Sequence, residues 1–314
     1  MTTAQLYTPG PLFRQARSAF TQFGRPHFTL ALPSTPSSPI QMEILDAAGN
    51  VIRTQQLTGK QGLNGLNWDL GYDGPTLVAL RTTPPENPHI WEEPRFQGTD
   101  IRRITHWGIT AQTGIPLAAP GKYQVRVTVE GKAFTQPFEV VKDPAIRSSL
   151  EDLQASTATQ VRIRDDITRT SEMVNRMEIW RKQIEDQLKA SAGKAAVAKA
   201  LKDLDKAILD VELTLVSRSE MLSDDKYFPE AYKVYMNLIW LSGGVGQGAS
   251  DEAGSIDYRP TDTQMRVLEV IEKDLAAANA AFDKLASTDV PAFNKAMARK
   301  VAPIEDALRS TSQH

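Results

Sequence analysis

The residues that could carry chemistry are few, and their spacing decides what they can do. The histidines are His27, His89, His106 and His314. None lies four residues from another, so no helix can offer a pair to one metal ion as zincin-type sites do. His89 and His106 share a long loop with Glu92, Glu93 and Asp100, a polarity that reads as a solvated loop. Paired carboxylates for glycoside hydrolysis must face each other roughly 5 to 9.5 Å apart across a cleft. Glu92 and Glu93 are adjacent and diverge, Asp165-Asp166 lies on a helix surface, and Asp224-Asp225 falls between helices. These read as surface charge and helix-end electrostatics. The run Ser242-Gly243-Gly244-Val245-Gly246-Gln247-Gly248 has the glycine content of a phosphate loop. A phosphate loop follows a strand and ends in Lys-Ser/Thr, whereas here a helix precedes and Ala249-Ser250-Asp251 follows, which predicts a helix end and a loop. No Gly-x-Ser-x-Gly elbow accompanies the serines, and the lack of cysteine removes thiolate nucleophiles, thiolate zinc sites and disulfides. The sequence therefore assigns no catalytic residue, no metal ligand and no cofactor.

Aromatic residues offer more. Trp68 alternates with Leu66 and Leu70 and is expected in a core, with Tyr72 close to it. Trp91, Phe96 and Trp107 fall in the irregular loop and form the candidate interaction surface. Exposed rings of this kind either pack against another domain or stack on sugar faces. Tyr232, Tyr235 and Trp240 are expected to pack among helices.

The elements that must position these rings follow from periodicity. Residues 40–57, 63–70 and 119–140 alternate apolar and polar, and the alternation breaks at Ala48-Gly49-Asn50 and Glu130-Gly131-Lys132. That is the period of half-buried antiparallel strands joined by hairpins. Strands are predicted at Phe28–Leu32, Ile40–Leu45, Val51–Leu57, Leu63–Leu70, Tyr123–Val129 and Ala133–Val140. Proline removes a backbone donor and cannot sit inside a helix without cost, and fifteen of the nineteen prolines lie at or before Pro144. The first half is therefore strand and loop, and the second half helix.

The helical half begins near Ser148, where Ser148 and Glu151 suggest a capping box, and its first helix runs to about Ala190. A second helix covers 194–222, with Val197, Leu201, Leu204, Ile208, Val211 and Leu215 as a coiled-coil-like seam. A third is predicted at 229–241, and a fourth from Thr261 with Gln264 closing another capping box. A fifth enters at Asp289-Val290-Pro291 and ends or kinks by Pro303. The expected fold is α+β and multidomain. An arm or linker spans 1–25, and an Ig-like antiparallel β-sandwich spans 26–143 with a proline-rich loop at 71–120. An up-and-down helical bundle spans 144–314. Phe13, Phe20 and Phe23 are available for docking in the arm.

Composition narrows the partners. Lys+Arg number 36 and Asp+Glu 38, a near-neutral balance that gives no electrostatic reason to expect nucleic acid or an anionic membrane. No run approaches the roughly 18 apolar residues of a membrane helix. The N-terminal MTTAQLYTPGPLF lacks the basic start and apolar stretch of a signal peptide. A soluble chain without membrane insertion is expected.

Several motifs together resemble a known family. Ile44-Leu45-Asp46, Gly49-Asn50-Val51-Ile52-Arg53, Gly65-Leu66-Asn67-Trp68-Asp69-Leu70 and Ala119-Pro120-Gly121-Lys122-Tyr123 are similar to the Ig-like domain of flagellar hook-capping proteins. The same domain closes exported bacterial proteins whose N-terminal part is a sortilin-like, Asp-box (BNR-repeat) β-propeller, often labelled glycosyl hydrolases. Val141-Lys142-Asp143-Pro144, the long helix after it, and Asp289-Val290-Pro291-Ala292-Phe293-Asn294 resemble the helical tail of those proteins. The likeness covers nearly all of residues 25–305. The chain departs from that family in having no Asp-box, the Ser/Thr-x-Asp-x-Gly-x-Thr-Trp turn of each blade. What the resemblance implies is therefore a non-catalytic module that supports or docks onto a β-propeller, in cis or in trans. It also implies an extracellular or periplasmic setting. The alternative is a carbohydrate-binding accessory module of a glycoside hydrolase.

Overall fold

The computed structural model describes residues 3–14, 27–106, 109–110, 113–144, 146–191, 193–218, 231–246 and 258–308. The chain is mixed α/β, with sheets in the N-terminal part and helices in the C-terminal part. It divides into two compact units. One joins 1–74, 114–164 and 242–264, and the other joins 75–113, 165–241 and 265–314. The irregular segment 75–113 thus groups with helices rather than with the sheets that flank it in sequence.

In the first unit, β1 (Gln5–Leu6), β3 (Phe28–Leu32) and β6 (Gly62–Leu66) form an antiparallel sheet in the order β1-β3-β6. The second sheet has the order β2-β10-β9-β4-β5, from β2 (Leu12–Arg14), β4 (Ile40–Leu45), β5 (Val51–Leu57), β9 (Gly121–Val129) and β10 (Lys132–Lys142). Its pairings are antiparallel except β2 with β10, which is parallel. A separate antiparallel pair, β7 (Thr105–His106) and β8 (Ile109–Thr110), belongs to the second unit. The hairpin turns adopt the left-handed backbone their glycines allow, with φ of 87° at Gly49 and 81° at Gly131. Pro137 is tolerated inside β10 because β2 covers that edge only from Val140 onward. Every second residue points inward, so Ile40, Met42, Ile44, Val125, Val127, Phe28, Leu30 and Trp68 are buried and share one hydrophobic cluster. The strands predicted at 28–32, 40–45 and 51–57 match those observed. The one predicted at 63–70 ends its ladder at Leu66, although the buried–exposed alternation continues through Asn67, Trp68, Asp69 and Leu70. Within the arm, Leu6 and Leu12 are buried, which draws Gln5–Leu6 and Leu12–Arg14 into the sheets. Phe20 and Phe23 lie outside the described residues.

A long helix, α1 (Leu150–Ala190), contributes to both units. Its capping box sits one residue later than the sequence suggests. Ser149 Oγ accepts from the Asp152 amide at 3.1 Å, and the Asp152 carboxylate accepts from the Ser149 amide at 3.1 Å. The start of α1 also holds the first unit together, since Thr157 Oγ1 donates to the Leu117 carbonyl at 2.7 Å and accepts from the fully buried Arg14 at 3.2 Å.

The remaining helices are α2 (Ala195–Leu215), α3 (Val234–Gly246), α4 (Asp262–Lys284) and α5 (Val290–Met297). Residues 242–246 are helical, so α3 runs through the glycines where a loop was expected. The predicted box at Thr261 and Gln264 forms, with the Thr261 amide donating to Gln264 Oε1 at 2.8 Å and the Gln264 amide to Thr261 Oγ1 at 3.2 Å. No break separates the predicted fourth and fifth helices. Pro291 has no N–H to give and its ring crowds the preceding turn, and a π-helical turn at Leu285–Asp289 widens the ladder there and carries α4 into α5. Trp240, expected inside, is 54% exposed, whereas Tyr235 is buried. Among the described residues no helix is long and apolar enough to cross a membrane.

Candidate functional site

The chemically richest part of the described structure is the segment 76–104 with α2 and the part of α1 beyond Arg164, all within the second unit. Apart from a bridge at Leu80, residues 76–83 have no strand partner among the described residues, yet their amides must bond somewhere. A stripe of α1 side chains receives them. Thr168 Oγ1 accepts from the Thr76 amide at 3.2 Å, and Asn175 Oδ1 from the Ala79 amide at 2.7 Å. Glu178 accepts from the Arg81 and Thr82 amides, and Glu185 from the Thr83 amide at 3.0 Å. Positions 168, 175, 178 and 185 share one helix face by their three- and seven-residue spacing. Leu80 and Arg102 exchange backbone bonds at 2.9 Å each, closing the segment into a loop. Val78, Leu80 and Ile90 are fully buried on its inner side.

Glu178 is the hub. It is fully buried, and besides the two amides it accepts from Thr82 Oγ1 at 2.8 Å and from Arg181 Nη1 at 3.1 Å. Four donors and no acceptor around it are the surroundings of a carboxylate. Arg181 reaches three acids, since Nη1 also donates to Glu212 Oε2 at 2.8 Å and Nε to Asp205 Oδ1 at 3.0 Å. Burial disfavours the Arg181 cation, but Glu212, Glu178 and Asp205 outweigh it and raise the guanidinium above its ordinary range. Arg102, almost wholly buried nearby, is pushed down to about 10 by burial, against the pull of Glu178 and Glu212, and is a cation at neutral pH. All but Asp205 are buried, and their arrangement braces the loop.

The braced loop displays the predicted aromatics. Short 3-10 turns at Ile90–Glu92 and Pro94–Phe96 bring the Trp91 and Phe96 rings edge to face, with centroids 5.8 Å apart. Both rings are half-buried. The Trp91 indole N–H donates to Thr83 Oγ1 at 3.2 Å, and Thr83 Oγ1 in turn donates to Glu185 Oε1 at 3.1 Å. The Arg95 guanidinium stands 4.8 Å from the Phe96 ring centroid while its Nε bonds Glu93 at 2.8 Å. The Glu93 carboxyl is held below the usual range, first by the Asn87 side-chain amide and then by Arg95. Two of the three predicted surface residues are thus brought together, and Trp107 lies outside the described residues. The acids and histidine of the same loop do not converge. His89 pairs with Glu92 at 3.1 Å, Glu93 with Arg95, and Asp100 with Arg81. Among the described residues no group of three or more His, Cys, Asp or Glu could hold a metal ion.

The sequence reading missed the buried ionic hub. It placed Val211 in the seam of α2, whereas Val211 is half-buried and the fully buried position after Ile208 is Glu212. The available signal was the interval, because Glu212 lies four residues beyond Ile208 and three before Leu215 and fits the helical face equally well. Glu178 and Arg181 gave a weaker hint as an i,i+3 pair on a helix. No family model matches this chain, and no curated protein or solved structure matches it.

Proposed function

We propose that this chain is a non-catalytic structural and interaction module, an Ig-like β-sandwich followed by an up-and-down helical bundle. It supports or docks onto a β-propeller of the sortilin-like, Asp-box class in an exported bacterial protein, in cis or in trans, on the extracellular or periplasmic side. The observation that carries the reading is the Trp91–Phe96 pair, two partly exposed rings held by Thr83, Glu185 and Arg95 on a loop whose 76–83 stretch α1 braces. Rigid aromatic and arginine side chains set in advance lose little entropy on docking and are the usual anchors of protein interfaces. The sharing of one hydrophobic cluster by both sheets supports the sandwich, and the seam of α2 supports the bundle.

The test is binding of the purified chain to a separately expressed propeller of this class, measured by calorimetry with Trp91→Ala and Phe96→Ala alongside. Each truncation is expected to weaken association by about 1–3 kcal/mol. Equal affinity in all three proteins removes these rings from the interface. Glycan-dependent quenching of Trp91 fluorescence, with no propeller binding, would replace the reading with a carbohydrate-binding module.

A further inference from the structure

The buried ionic hub contains one carboxyl too many. Its cations are Arg181 from α1 and Arg102 from the 75–104 segment, and its acids are Glu178 from α1 with Asp205 and Glu212 from α2. Glu178 and Asp205 already match the two arginines. Asp205 remains partly open to solvent, whereas Glu178 and Glu212 have no exposed side-chain surface. Both buried carboxyls bond the same nitrogen, Arg181 Nη1, whose two N–H groups can serve one each, so an ionised Glu212 would share with Glu178 the single positive charge of Arg181. The two are also unequally served. Glu178 has four donors, while Glu212 Oε2 has Arg181 alone and Oε1 has no hydrogen-bond partner. An ionised carboxylate in a closed site with one donor, a shared counter-charge and one oxygen bare is strongly disfavoured, and the usual remedy is a proton.

We infer that Glu212 is held as an un-ionised carboxylic acid in the folded protein, so that the anchorage of the 75–104 segment on α1 and α2 is a latch that loosens as pH rises. The Arg181 bond to Oε2 leaves Oε1 to carry the proton, which is lost to solvent when the acid ionises. Burial, and next the charge of Glu178, push this carboxyl well above the ordinary glutamate range, with Arg181 opposing them. Ionised Glu212 would repel Glu178 and draw Arg181 from it, and Glu178 holds the Arg81 and Thr82 amides. The sign follows from the direction of the shift. The folded state keeps a proton that the unfolded chain releases near 4.5. The stabilisation is therefore complete below that value and is lost as pH rises through the folded pKa. This inference does not depend on the propeller reading, because it is tested on the chain alone.

The test compares the full chain with Glu212→Gln, a neutral side chain of the same shape that has no proton to lose, by urea unfolding across about pH 5 to 8. The wild-type unfolding constant, divided by that of the variant, is expected to grow by up to about tenfold per pH unit. A ratio that does not change with pH overturns the inference. If Glu212→Gln fails to fold, carbon-13 NMR of the wild-type glutamate carboxyls decides. One carboxyl still protonated at about pH 7 supports the latch, and titration of every glutamate near the ordinary value of about 4.3 overturns it.

Discussion

Replacing Glu178 with glutamine tests the brace with the least change of shape. Each carboxylate oxygen takes two donors. Oε2 receives the Arg81 and Thr82 amides, and Oε1 receives Thr82 Oγ1 and Arg181 Nη1. Glutamine keeps one accepting oxygen and puts an NH2 in place of the other. The better orientation keeps the oxygen on the amides, because a buried amide without an acceptor costs about 1–3 kcal/mol, and the Thr82 hydroxyl can turn to accept from the new NH2. What is lost is the charge-assisted bond to Arg181, worth about 1.5–3 kcal/mol, and the charge balance of a buried site. Breaking a buried pair by removing one partner costs about 3–5 kcal/mol. Arg181 keeps Asp205 and Glu212, which places Glu178→Gln near the lower end, at about 3 kcal/mol. Glu178→Ala strands both amides and belongs at the upper end. Urea unfolding followed by circular dichroism should show a lower midpoint with an unchanged slope. Amide exchange should quicken at Arg81 and Thr82 before the strands of the first unit respond. A Glu178→Gln protein within about 0.5 kcal/mol of wild type, the range of ordinary surface changes, would refute the reasoning.

Two further outcomes can be measured independently. Trp180 stacks on Phe282 at 5.7 Å with an interplanar angle of 6°, and both are buried. Phe282→Ala should therefore cost about 3–5 kcal/mol in thermal or urea unfolding, and a loss under 1 kcal/mol would mean that the contact is not made. At the start of α1 the Asp152 carboxyl is held at about 2, first by Arg259 and then by Ser149. Because this pKa is depressed, its stabilisation is present above the unfolded value of 3.8 and is lost as pH falls toward about 2. Arg259→Gln should flatten that acid limb in a pH series of unfolding midpoints, and parallel acid limbs would contradict the assignment.

The sequence spoke most clearly where one rule acted alone. Alternation and a turn glycine placed β4 and β5 to the residue, because their hairpin alternates buried with more exposed positions and turns at a left-handed Gly49. The ladder of β6 ended early because alternation reports burial and not pairing, and residues 67–70 bury alternate side chains without a strand partner. Helix continuity failed at Pro291 for a related reason. Proline forbids one bond geometry, and a π-helical turn supplies another that the local sequence does not advertise. The brace was illegible because its logic is long-range. Glu178 finds Thr82 96 residues away and Arg181 finds Glu212 31 residues on, and only the packing of residues 76–104 and α2 against α1 brings these charges to their partners. Trp91 and Phe96, by contrast, were visible with Trp107 as members of a candidate surface, and the short turns at Pro94 are what bring their two rings together.

The most direct measurement of the central claim is photo-crosslinking from the Trp91–Phe96 pair in the source cells. A photoreactive benzoylphenylalanine replaces Phe96, which lies half-exposed against Trp91, and the crosslinked peptides are identified by mass spectrometry. The account predicts peptides of an Asp-box β-propeller, joined within one polypeptide or between two. Crosslinks that lead reproducibly to any other fold, or a chain that ages in the envelope or secreted fraction without a crosslinked propeller peptide, would contradict it.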